Sequence, residues 1–162
     1  MRTLALSVCA LLAAPVPCVA QNRAAPRPAS PPAPALGLTE WRPGATLPGS
    51  AAMRLLGDPS KPELFVARFR YPDGAGVGPH WHTTTLHITV LSGTLVLGMG
   101  DKVDSTAAQR YGPGSFLVLE GGMHHYEWFQ GETVVHVEGV GPFRTVFVNP
   151  ADDPRTAPPK PE

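Results

Sequence analysis

His80 and His82 stand two residues apart in the run Gly78-Pro79-His80-Trp81-His82. On an extended strand, side chains at i and i+2 leave the same face about 7 Å apart along it. Two imidazoles at that spacing can converge on one metal ion. A His-x-His pair is weak evidence by itself, because it also occurs in ordinary exposed turns. Here it leads into an apolar β pattern ending at Ser92-Gly93, and all six histidines of the chain fall between positions 80 and 136. That clustering points to a divalent metal held by imidazole, with Asp or Glu as further ligands.

The segments that must carry these residues read as β. Glu63 to Tyr71 alternates apolar with polar side chains before Pro72-Asp73-Gly74 turns the chain. Leu86 to Leu91 and Thr94 to Met99 read as two strands joined by a tight hairpin at Ser92-Gly93. Ser115 to Leu119 follows Gly112-Pro113-Gly114, and Gly121-Gly122 turns it into His124 to Phe129. Thr133 to Val140 and Phe143 to Val148 complete the set, and Ala51 to Leu56 adds an edge strand at the start. No segment carries a period of 3.6, and Asp104 to Gln109 has room for one turn of helix at most. Short strands with closely spaced glycine turns predict a small all-β barrel of jelly-roll type.

The ends read differently. Arg2 precedes an uncharged apolar run from Leu4 to Ala14, and Cys18-Val19-Ala20 suits cleavage after Ala20, so residues 1–20 read as a secretory signal peptide. The run is about eleven residues, too short to span a bilayer as a helix. The mature chain is therefore expected in the periplasm or outside the cell, with no membrane span after cleavage. Both cysteines, Cys9 and Cys18, leave with that segment, which excludes disulfides, thiolate ligands and cysteine nucleophiles. Residues 21–37 form a Pro/Ala-rich linker, an extended spacer rather than a packed element. Residues 38–150 remain for one compact domain, about 110 residues with a single core. A flexible tail, 151–162, closes the chain. Thirteen basic and thirteen acidic residues give a formal charge of zero, with no Lys/Arg cluster, which disfavours nucleic-acid binding and electrostatic membrane attachment.

These residues resemble the two motifs of the cupin family. The first runs Gly, five residues, His-x-His, three or four residues, Glu, six residues, Gly; this chain supplies Gly74 and Gly78, then His80-Trp81-His82, then Gly93. The second runs Gly, five residues, Pro-x-Gly, two residues, His; Gly114 is followed by Glu120-Gly121-Gly122 and Met123-His124-His125. The register sets His125, not His124, at the ligand position, and Glu120 replaces the proline. The resemblance covers most of 63–149 and implies a single cupin barrel with His80, His82 and His125 as metal ligands. Counting back from Gly93 puts Leu86 where the family has its Glu, while four residues after His82 would put His87 in that slot. Strand parity favours Leu86, since His80, His82 and residue 86 share a face, whereas a bulge would be needed to bring in His87.

The resemblance further implies a divalent ion, iron(II) first, with zinc, manganese, nickel or copper also suited to imidazole. Three-histidine cupins without a carboxylate include iron(II) dioxygenases, so an oxygenase acting on a small organic molecule is one expectation. The other is a non-catalytic binding domain, or a metal-free cupin that retains the histidines. Losing the Glu would leave the ion more positive, which favours an anionic chelating substrate. His136 and Glu138 share a face two residues apart and are candidates for catalysis or for support behind the ligands; Glu127 shares the parity of His125. His124 is expected at the surface, and Trp81, Trp128 and Phe129 in packing or an interface. Related cupins pair through sheet edges, which makes a homodimer an expectation.

Overall fold

A computed structural model describes residues 40–156 of the chain. Nine strands follow one another: β1 (Arg42–Pro43), β2 (Ala51–Leu56), β3 (Leu64–Tyr71), β4 (Gly76–His82), β5 (Leu86–Met99), β6 (Gln109–Tyr111), β7 (Phe116–Leu119), β8 (His125–Val140) and β9 (Thr145–Phe147). A 3-10 turn, Pro150–Asp152, comes last, and the described residues include no α-helix. The expected signal peptide at 1–20 and linker at 21–37 lie outside the described residues. The chain beyond 150 is described as far as Thr156; there Arg155 donates from its guanidinium to the Thr145 carbonyl at 2.8 Å.

All pairings are antiparallel, and β8 is the strand around which they turn. Along one edge its first residues pair with β4 and its last eight with β3, while β5 follows its other edge from end to end. β2 and β1 extend the sheet beyond β3, β9 extends it beyond β4, and β6 and β7 pair with the far edge of β5. One strand thus has its two halves held by different neighbours, and the sheet curls. Alternation decides which side faces in. Phe65 and Ala67 of β3, Ile88 and Val90 of β5, and Val135 and Val137 of β8 are buried, with partly or fully exposed residues between them. Each large apolar side chain taken out of water in this way stabilises the fold by about 1.5–3 kcal/mol.

The expected hairpin at Ser92-Gly93 is not formed. β5 passes through these residues unbroken, and so does β8 through 130–132, where two separate strands were expected. The ladder between them slips at this point: Val90 pairs with Val135, Ser92 with Val134 and Thr94 with Gln130. Gly93 has φ +70°, and a Cβ there would strike the Thr133 hydroxyl and the Glu132 backbone. Glycine's left-handed freedom therefore serves a bulge that bends two long strands together. Gly98 answers a different need, since a Cβ on it would occupy the ring of Tyr126. Tyr126 is 1% exposed, and its hydroxyl both accepts from the Asp104 N–H at 2.9 Å and donates to the Asp104 carbonyl at 2.8 Å. That pair pins the loop that leads into β6. The loop contains turns through Ala107, and Gln109 begins a strand instead of ending a helical turn.

Candidate metal centre

β4 delivers the first two histidines to the interior. His80 and His82 are both buried, at 2% and 8% exposure, with half-buried Trp81 between them pointing the other way. His80 pairs in register with His125, the first residue of β8, which is fully buried. One ligand nitrogen from each of the three lies within 4.8 Å of the others. The rings crowd together, with centroids 4.2 Å apart for His80 and His125 and 5.0 Å for His82 and His125.

Hydrogen bonds settle which nitrogen each ring offers. His80 Nδ1 lies 2.8 Å from the Gly78 carbonyl, and His125 Nδ1 lies 2.9 Å from the Met123 carbonyl. A carbonyl only accepts, so Nδ1 carries the proton in both rings and Nε2 keeps its lone pair. His82 Nδ1 meets the Thr145 hydroxyl of β9 at 3.3 Å. Metal-bound histidines are held in this manner, the second ring nitrogen donating to an oxygen behind it. Burial lowers the pKa of all three rings. Its effect, with the neighbouring His80 and His125 adding to it, brings His82 down to about 2. Three neutral imidazoles are the form that binds a cation.

The fit can be read from one atom. His125 Nε2 is the buried side-chain nitrogen or oxygen that lacks any hydrogen-bond partner among the described residues. An orphaned buried polar atom is costly, and a cation at the focus of the three rings would satisfy it. His80, His82 and His125 therefore suit a divalent metal ion.

His80 and His82 line a cavity of about 80 Å³ whose walls are mostly apolar. Phe69, Tyr71, Phe129, Val135, Val137 and Phe143 form its walls, and Tyr71 stacks on Phe129 with centroids 3.9 Å apart. Burial raises the Tyr71 hydroxyl well above its ordinary value, with the Glu127 carboxylate adding to the shift. Leu86 is 3% exposed and stands on the cavity wall, where the first-motif register expects a carboxylate.

No family model and no curated protein matches this chain. Solved structures do. The polyketide cyclase RemF from Streptomyces resistomycificus is similar with a TM-score of 0.57 at 18% identity, over 72% of this chain and 84% of that one. An RmlC-like cupin from Shewanella frigidimarina gives a TM-score of 0.51 at 14% identity, over 63% of this chain and 83% of that one. The chain has the cupin fold. Salicylate 1,2-dioxygenase from Pseudoaminobacter salicylatoxidans, described with gentisate, gives a TM-score of 0.52 at 17% identity, over 63% of this chain and 30% of that larger one.

Within this fold the other candidate residues are distributed over both faces. His87 is exposed and stacks on Phe116 at 6.1 Å, so no bulge turns it inward. His136 and Glu138 require a correction too. They share a face, but it is the outer one: His136 Nε2 lies 3.2 Å from Glu138 Oε1, and the cavity is lined by Val135 and Val137 instead. The two valines were the available sign, because an apolar pair alternating with a polar pair on an antiparallel strand marks the inner face. His124 is half-buried on the outside, hydrogen-bonded to Asp101 and stacked against Trp81 at 6.2 Å. Glu127, by contrast, lines the cavity beside the histidines.

Proposed function

We propose that this cupin is an exported metal-dependent protein whose centre of His80, His82 and His125 performs oxygenase-type chemistry on a small organic molecule. The observation that carries the metal is the convergence of three neutral imidazoles around the unpartnered Nε2 of His125. When bound, a redox-active ion such as iron(II) supplies the activation of oxygen and the polarisation of a chelating substrate. The chain's own part is positioning and exclusion. Gly78, Met123 and Thr145 hold the three rings in place, and the aromatic and aliphatic walls keep water out while accepting the apolar body of the substrate. Similar structures include a cyclase and a dioxygenase, so one fold supports different reactions and the reading rests on the site rather than on the likeness.

Elemental analysis of the mature protein after anaerobic loading with iron(II) tests the reading. Close to one equivalent of bound metal is expected, falling below about a tenth in H80A or H125A, since each removes one of only three imidazole ligands. A wild-type protein holding less than about a tenth of an equivalent refutes a metal function. A binding role without turnover is the second reading, favoured by the apolar Leu86 in a wall where charge was expected. It predicts stoichiometric metal and no substrate-dependent uptake of oxygen.

A further inference from the structure

A divalent ion held by three neutral imidazoles keeps its full charge inside a cavity with mostly apolar walls, and buried charge without compensation is costly. Leu86 supplies nothing to offset it. One carboxylate does reach the cavity. Glu127 follows His125 by two residues on β8, points to the same side, and has a side chain only 13% exposed. No Lys or Arg lines that cavity to partner it among the described residues.

Glu127 Oε2 stands 3.9 Å from His125 Nε2. This is too long for a hydrogen bond. The Nδ1 proton of His125 is committed to Met123, so Nε2 presents a lone pair to the carboxylate oxygen. Two electron-rich atoms then face each other in a buried space with no proton shared between them. A cation is what makes such a pair favourable. Ions of this class hold imidazole nitrogen and carboxylate oxygen at about 2.0–2.2 Å, so two ligands of one ion stand at most about 4.3 Å apart. Glu127 Oε2 meets that limit against His125 Nε2 but stands outside the 4.8 Å cluster of the three ring nitrogens, so its side chain must swing inward to complete the set.

We propose that Glu127 is a fourth ligand of this centre: the carboxylate that cupins take from the β5 position is supplied here by β8. The proposal rests on the metal-binding reading above. It lowers the net charge of a divalent centre by one, and so weakens the expectation that the site needs an anionic substrate to balance it. It also leaves the β5 wall, with Leu86, Ile88 and Leu95, as an apolar surface for the substrate.

Cobalt(II) is the probe, used with the full mature chain, E127Q and the double variant L86E/E127Q. Affinity is read by competition with a chromophoric chelator, and ligand number by the visible spectrum. E127Q is expected to bind cobalt(II) about 10–100-fold more weakly with an altered spectrum, and L86E/E127Q to recover part of the loss. Metal-free E127Q should melt no lower than wild type, because Gln removes a buried charge that only the metal compensates. A merely structural Glu127 predicts the reverse, so a lower melting point overturns the proposal. Equal affinity and spectrum in E127Q and wild type overturn it as well, while loss of binding in H82A shows that the metal centre itself stands. Wild type that binds no cobalt(II) overturns both readings. Should E127Q fail to fold, infrared difference spectra of wild type decide the matter: cobalt(II) must shift a carboxylate stretch, and an unshifted band overturns the proposal.

Discussion

Acidifying the metal-free protein from about pH 7.5 to about 5.5 should lower its stability, with the three buried rings contributing a loss of between about 1.4 and 4 kcal/mol before the opposing effect of a buried carboxylate. The three histidines at the centre have pKa values below the ordinary 6.5 in the folded state, all chiefly through burial. The unfolded chain therefore takes up protons in this window while the folded one does not, and stability falls as pH falls. For a ring that stays neutral throughout in the folded state, protonation raises the statistical weight of the unfolded state from about 1.1 at about pH 7.5 to about 11 at about pH 5.5, a tenfold change and a loss of about 1.4 kcal/mol. His82, at about 2, contributes all of that, and His80 and His125 up to as much again each. Glu127 acts in the opposite sense: burial raises its carboxyl, with His125 pulling it down, so it takes up a proton in the folded state first and offsets part of the loss. Asp58, Asp104 and Asp153 are held below the ordinary 3.8 and titrate beneath the window. Urea midpoints measured with a chelator at half-unit pH steps give the slope directly. H82L should remove about 1.4 kcal/mol of the dependence. Stability that is flat or rises toward pH 5.5, or an unchanged slope in H82L, would refute burial of three neutral rings.

Two further outcomes concern other features. Y126F removes a hydroxyl that serves both the N–H and the carbonyl of Asp104, and should cost about 1–3 kcal/mol in denaturant unfolding. Export can be read from the first residue of the protein recovered from periplasm or medium, which should be Gln21; a chain that still begins at Met1 counts against a cleaved signal.

Much of the β pattern could be read from the sequence, and the failures have a common cause. β2 and β3 fall on the segments expected for them, and β3 was legible because a half-buried strand must alternate. The Ser92-Gly93 hairpin failed because a left-handed glycine serves a tight turn and a bulge equally well. Only the partner distinguishes them, and β8, more than thirty residues later, supplies it. The histidines of β4 and β8 were legible through parity and motif spacing. His136 and Glu138 were assigned a shared face correctly, but parity alone does not say which face is inside. Glu127 carried the right parity without any motif to single it out, since its significance comes from Leu86 on another strand.

The three ligand rings differ in what orients them. His80 and His125 each lean on a carbonyl two residues back along the chain, while His82 depends on Thr145, 63 positions away. Thr145 is in turn held by Arg155 from beyond the last strand. Two arms of the centre are thus set locally, and the third is on loan from the end of the domain. By thermodynamic reciprocity, whatever docks β9 tightens the metal, and the metal tightens the docking of β9 by the same factor.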